Sequence, residues 1–283
     1  MGLSSVPLIC PQQQGTEPVS ERIGMMRTFI GDDITLIRMD ITDAVRVESP
    51  APTAKEITLL TGFPGSGLVG SIALQYLVEH AGFIHLGNIT SRYLPQISLA
   101  TNGLAQAPIR LYQKDNIVAI LADVPIPPQI SYEVSAGLIE WFSDKCRITD
   151  LVVIGGVATG SEGERVFGVA TTPDGLETIK DQTIILPALS ITGISGSMII
   201  EAQLRGIPAT GFLVETNFNI DPRAAVEALN ILNARYNFGV DTQPLMEQAD
   251  QVESMMHQLA TDVQEQEQAE QKPFSAAEQI MYG

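Results

Sequence analysis

Cysteine is nearly absent from this chain: there are two, Cys10 and Cys146. With no further thiol or histidine near either at ligand spacing, neither a disulfide framework nor a thiol-metal site is expected, and a reducing compartment suits such usage. Histidine is as scarce. His80, His85 and His257 stand at no metal-ligand spacing from one another, which argues against zinc. Basic side chains are few, 16 against 33 acidic ones, giving a formal net charge of −17. Affinity for phosphate backbones comes from Lys and Arg displacing counterions, so nucleic acid is not an expected partner. Long apolar runs are missing too: none reaches the roughly 18 residues of a membrane span. The N-terminal stretch lacks the basic region of a secretory leader. The expectation is a cytoplasmic protein without a membrane segment.

Hydrophobic residues make up 45% of the chain and charged residues 17%, enough apolar surface to offset the entropy of ordering a sizeable core. The ends differ from the middle. Residues 1–26, rich in Gln, Pro, Ser and Gly, show no apolar periodicity and are expected to form a disordered arm. Residues 27–241 alternate strand-like and helix-like segments. Strands are expected at 34–39, 57–62, 117–123, 151–156, 166–171, 183–186 and 208–215. Helices are expected after Gly67, over 132–145, after Asp174, over 195–205 and after Asp221-Pro222, where an N-cap acceptor precedes proline at the first helical position. Strands that alternate with helices of this length predict an α/β fold, a three-layer sandwich on a mostly parallel sheet. Residues 242–266 carry an apolar stripe of Leu245, Val252 and Leu259, with Ala249, Met256 and Val263 four positions after each, as in an amphipathic C-terminal helix. Residues 267–283 are polar and low in complexity, a flexible tail whose tip, Ile280-Met281-Tyr282-Gly283, is apolar and aromatic.

Gly65-Ser66-Gly67-Leu68-Val69-Gly70 spells a G-x-G-x-x-G between a strand and a helix, the context of a dinucleotide site. That site also needs an acidic residue about 20 positions on to hold a ribose, yet between Glu79 and Asp115 there is none. A phosphate-binding P-loop fails as well, because Leu68 and Val69 stand where Lys and Ser or Thr belong. The glycines are better explained by a tight turn and close strand-helix packing, and no cofactor is expected. No G-x-S-x-G elbow occurs; Ser195 comes nearest and suits a helix N-cap better than a nucleophile. Asp123, Glu133, Glu162 and Glu164 fall at or beyond strand C-termini, where α/β domains bind ligands. A small pocket involving Gly65, Gly67, Glu133 and Glu162 is therefore the competing expectation, as in a nucleoside- or phosphate-binding enzyme or sensor.

The order and spacing of GFPGSGLVG, RYLPQI, LVVIGGVATG followed by RVFGVAT, and ITGISGSMIIEAQLRGI resemble the archaeal-type proteasome assembly chaperone family over about residues 34–260. The resemblance implies a phosphorylase-like α/β sandwich that acts by binding rather than catalysis, and homo-oligomers, which are common among such members. It also gives the tail a meaning. Met281-Tyr282-Gly283 matches the hydrophobic-Tyr-any-residue terminus by which proteasome partners dock between 20S α subunits. The implied function is that of a proteasome assembly chaperone or proteasome-binding factor, with the 20S α-ring as partner.

Overall fold

The computed structural model describes residues 45–94, 97–101, 103–159, 165–216, 220–247 and 249. The expected arm at 1–26, the strand at 34–39 and the tail at 267–283 lie outside the described residues. In chain order the elements are β1 (Arg46–Glu48), β2 (Glu56–Gly62), α1 (Val69–His80), β3 (Ile84–Thr90), β4 (Leu99–Thr101), β5 (Leu104–Gln106), β6 (Ile109–Lys114) and β7 (Ile117–Ala122). There follow α2 (Ser131–Lys145), β8 (Arg147–Ala158), β9 (Val166–Ala170), α3 (Pro173–Ile179), α4 (Gly193–Leu204), β10 (Ala209–Thr216) and α5 (Pro222–Tyr236).

Eight strands form one sheet in the order β1-β3-β6-β7-β2-β8-β10-β9, and β4 pairs with β5 apart from it. The centre, β7-β2-β8-β10, is parallel throughout, as the continuous apolar runs predict. Its flanks are antiparallel: β1, β3 and β6 on one side, β9 on the other. These flanking strands are short or carry polar residues on one face, so they give no buried-strand pattern.

The pleat sorts the core into two. Ile57, Leu59, Val118, Ile120, Leu151 and Val153 join one buried cluster with side chains of α2 and α4. Leu60, Ala119, Leu121, Val152, Ile154, Phe212 and Val214 join the other, with α1 and α5. Residues one apart on a strand point to opposite faces, so strands apolar at every position need a helix layer on each side. The three-layer α/β expectation therefore holds.

Local signals place most helix ends. The Asp221 carboxylate accepts from the Ala224 amide at 3.0 Å ahead of Pro222. α3 is capped by Thr172, whose hydroxyl accepts from the Gly175 amide at 3.1 Å, while Asp174 sits inside the first turn. α4 starts at Gly193 after Thr192, so Ser195 lies within the helix and is not its cap. Gly82, at φ +75°, follows the last turn of α1 and ends it. The strand expected at 183–186 shrinks to one bridge, Ile184 to Phe167 of β9, in which the Ile184 amide donates to the Val166 carbonyl and its own carbonyl accepts from the Gly168 amide. Leu245 and Ala249 of the C-terminal stripe are buried, Leu245 in the α1/α5 cluster; the rest of the stripe lies outside the described residues.

A polar seam on α5 couples this core to pH. The Tyr236 hydroxyl donates to Asp150 at 3.2 Å and accepts from Arg235 Nε at 3.1 Å, while Arg235 also binds Asp150 at 3.1 Å. Burial, then the Asp150 charge, pushes the Tyr236 phenol well above its ordinary range. An unfolded tyrosine releases its proton at about pH 10. Above that pH the native state keeps a proton that the unfolded state has lost, so stability present below about pH 10 falls as pH rises. A Tyr236→Phe variant is expected to lose less of its urea midpoint between pH 9 and pH 11 than the wild type. An equal loss would assign the alkaline sensitivity elsewhere.

Candidate functional site

Because β7, β2, β8 and β10 are parallel, their C-terminal ends share one edge, and the loops that leave it carry the sequence-selected residues. From Gly62 the chain passes through Phe63 and Pro64 to a 3₁₀ turn at Ser66–Leu68 and then into α1. Gly67 has φ +66°, and Leu68, also left-handed at φ +53°, is an uncommon conformation for a side chain of its size.

Close approach fixes the other glycines. A Cβ on Gly62 would lie 2.3 Å from the Gly70 carbonyl oxygen, and one on Gly70 would lie 2.4 Å from that of Ile154. A Cβ on Gly156 would lie 2.0 Å from the Ser66 oxygen. Gly65 is different: its nearest neighbour would be the Phe63 oxygen at 4.0 Å, and its φ of −153° is open to any residue. The glycine pattern thus brings the start of α1 onto β2 and β8 backbone to backbone, as the packing explanation requires.

Two polar groups hold this edge that the sequence reading did not single out. Thr216, at the end of β10, donates to Asp221 Oδ2 at 2.6 Å, and a Cβ on Gly67 would fall 2.5 Å from its hydroxyl oxygen. The Asp221 amide in turn donates to the Gly67 carbonyl at 2.8 Å. One aspartate therefore caps α5 and ties it to the glycine turn. Beside it, the fully buried Glu215 side chain binds Arg165 through two bonds, at 2.8 and 2.6 Å, and also accepts from the Thr159 hydroxyl. The pairing holds the Arg165 guanidinium above its ordinary range, the hydrogen bonds to Glu215 first and its charge second. The available signal was Glu215-Thr216, two polar residues closing an otherwise apolar strand.

Asp123, just beyond β7, is engaged by Arg110, whose side chain is almost fully buried and also donates to the Ala107 carbonyl at 3.0 Å. Asp123 also borders an open groove of about 400 Å³ with Pro64, Leu68, Ile72, Tyr76 and Leu245. Glu133 sits in the first turn of α2, in the opposite helix layer from α1, so it does not share that groove. One of its carboxylate oxygens is buried with no hydrogen-bond partner. Gly65 and Gly67 lie in the turn that leads into α1 and Glu133 at the start of α2; Glu162 and Glu164 lie outside the described residues, as do Met281, Tyr282 and Gly283. Among the described residues no cluster of three or more His, Cys, Asp or Glu could hold a metal ion, and no helix is long and apolar enough to cross a membrane.

This architecture and sequence have relatives. An uncharacterised protein of Methanocaldococcus jannaschii is 26% identical over 223 residues, spanning 78% of this chain and 91% of its own. Among solved structures, Pyrococcus furiosus PbaA, an archaeal homolog of proteasome-assembly chaperone, superposes with a TM-score of 0.71 at 25% identity, over 85% of this chain and 100% of its own. Pyrococcus furiosus PbaB, an archaeal proteasome activator, gives a TM-score of 0.68 at 20% identity over 77% of this chain and 99% of its own, and it speaks for the shared fold alone. The resemblance carried by the glycine turn, the β8 strand and the α4 helix is borne out. The PAC2 family model matches residues 59–260, a stretch that holds all but the first residues of the parallel centre and both helix layers, and the chain belongs to the PAC2 family.

Proposed function

We propose that this chain is a proteasome assembly chaperone or proteasome-binding factor. In this reading it acts in the cytoplasm by binding rather than catalysis, and its C-terminal Met281-Tyr282-Gly283 docks on the 20S α-ring. The observation that carries the proposal is the likeness to PbaA, at 25% identity over 85% of this chain. The chemistry of the tail supports it. A free carboxylate suits a cationic niche, the tyrosine ring brings apolar area with a hydroxyl handle, and methionine fills irregular apolar space. One such tail buries little surface and must be ordered on docking, so a single copy binds weakly. A homo-oligomer presenting several tails to a ring of repeated pockets makes later docking steps intramolecular, raising avidity by roughly 10² to 10⁴.

The test is co-sedimentation with purified 20S particles. The intact chain is expected to travel with the particle, and a chain lacking residues 281–283 to remain free with an unchanged circular dichroism spectrum. Equal binding by both, or by neither, refutes the docking role. The unpartnered, buried Glu133 oxygen favours a second reading, a small ligand that donates a hydrogen bond there. A nucleoside that raised the melting temperature of the wild type, but not that of Glu133→Gln, would support it.

A further inference from the structure

After α5 the chain doubles back. Asn237, left-handed at φ +53°, ends that helix, and the Phe238 ring packs 5.8 Å from that of Phe83, just past the last turn of α1. Three residues on, the Asp241 carbonyl accepts from the Tyr76 hydroxyl at 2.9 Å. The chain has thus moved from the C-terminal end of α1 toward its start. A new helix opens there. The Asp241 side chain accepts from the Gln243 amide at 3.0 Å, the Met246 amide donates to the Thr242 carbonyl at 3.1 Å, and residues 243–247 and 249 are helical. Its Leu245 lines the open groove of about 400 Å³, whose floor is one face of α1: Leu68, Ile72 and Tyr76 with Ser71, Gln75 and Glu79. Pro64 and Asp123 border the groove where strands β2 and β7 end. Leu245 and Ala249 are 4% and 3% exposed, and the apolar stripe they begin continues at Val252 and Met256.

We infer that this groove is the seat of the chain's own residues 250–263, laid as a helix antiparallel to α1, and that the tail therefore leaves the domain at the C-terminal edge of the parallel strands. Val252 and Met256 stand seven positions after Leu245 and Ala249, two turns on along the same side of a helix. At 1.5 Å per residue, the run from Tyr76 back to Leu68 spans roughly 12 Å and that from Thr242 to Val252 roughly 15 Å. Val252 comes level with Leu68, and Met256 reaches Pro64 and Asp123. Because Leu245 and Ala249 are buried against the domain, the next turns are held at the groove at an effective concentration on the order of millimolar, which a separate partner must exceed. The tail tip fits the groove worse. Its terminal carboxylate would meet Glu79 and Asp123 on walls that carry no lysine or arginine, and Arg110, which binds Asp123, is almost fully buried. The tip stays available for a partner. As a coil, residues 264–283 span on average roughly 25 Å, so the face turned to that partner is the loop edge that carries the glycine turn. This use of the seat rests on the tail-docking reading; the seat itself does not.

Cross-linking of the full chain tests the seat without any proteasome. In a Cys10→Ser, Cys146→Ser background, Leu68→Cys with Val252→Cys is expected to be joined within one chain by a short bismaleimide. Glu79→Cys with Val252→Cys, roughly 16 Å further along α1, is expected to stay unjoined. Where these variants fail to fold, thermal melting gives the same reading. Val252→Asp with Met256→Asp is expected to lower the melting temperature by roughly 6–12 °C, and Ser254→Asp, on the opposite side of the helix, to leave it within about 2 °C of the wild type. Equal joining of both cysteine pairs, joining of neither, or joining only between two chains overturns the proposal, as does a melt that stripe and control variants lower alike. Failure of the tail reading is distinct: a chain that forms the link between positions 68 and 252 and yet ignores 20S particles loses the docking role and keeps the seat.

Discussion

A Gly156→Ala variant is expected to melt roughly 6–12 °C below the wild type, a loss of about 3 kcal/mol at the top of the usual range for overpacking. The added methyl carbon would lie 2.0 Å from the Ser66 carbonyl oxygen and 3.0 Å from a Val69 methyl. The first of these is backbone at the mouth of α1, which no rotamer change can move. Relief requires the start of α1 to lift from β8, and with it Val69, Ala73, Leu74 and Leu77, all fully buried. Gly70→Ala is the sharper test of sign. Helix propensity alone would favour alanine there by about 1 kcal/mol. A Cβ placed 2.4 Å from the Ile154 oxygen outweighs that gain, and a net loss of about 2 kcal/mol is expected. Gly65→Ala, with no atom nearer than 4.0 Å and an ordinary backbone angle, should stay within about 0.5 kcal/mol of the wild type. If all three behave alike in thermal melts, close packing does not explain the glycines of this turn.

The same glycines show how far the sequence could be read. Strands β2, β7, β8 and β10 announce themselves because burial on both faces leaves few polar positions to blur the run, and the helices between them follow from caps and apolar spacing. Strands β3 and β6 do not. His85 and Asn88 interrupt the first and Arg110 the second, and that arginine is tolerated inside because Asp123, from the next strand, meets it. Such a partner is a tertiary fact with no local signal. The turn itself was legible as packing rather than ligand chemistry, since the missing ribose acid and P-loop lysine already spoke against phosphate. Which glycine answers to which neighbour was not legible, because Ile154 and Gly156 reach the turn from β8 and Thr216 from β10.

Replacing Tyr282 with alanine is expected to weaken binding to 20S particles far more than the lost area of one side chain suggests. Truncating a tyrosine anchor at the centre of an interface costs about 2 kcal/mol, or roughly thirtyfold in affinity for one docked tail. In an oligomer every copy carries the change. Two engaged tails then lose roughly 10³-fold together, because each intramolecular step is weakened by the same factor. Tyr282→Phe keeps the ring and removes only the hydroxyl, so its loss should be about fivefold per tail, the worth of one neutral hydrogen bond. The size of the Tyr282→Ala penalty is therefore decisive: about thirtyfold would mean that tails dock one at a time, roughly 10³-fold that two are held together, and no penalty would remove Tyr282 from the contact altogether.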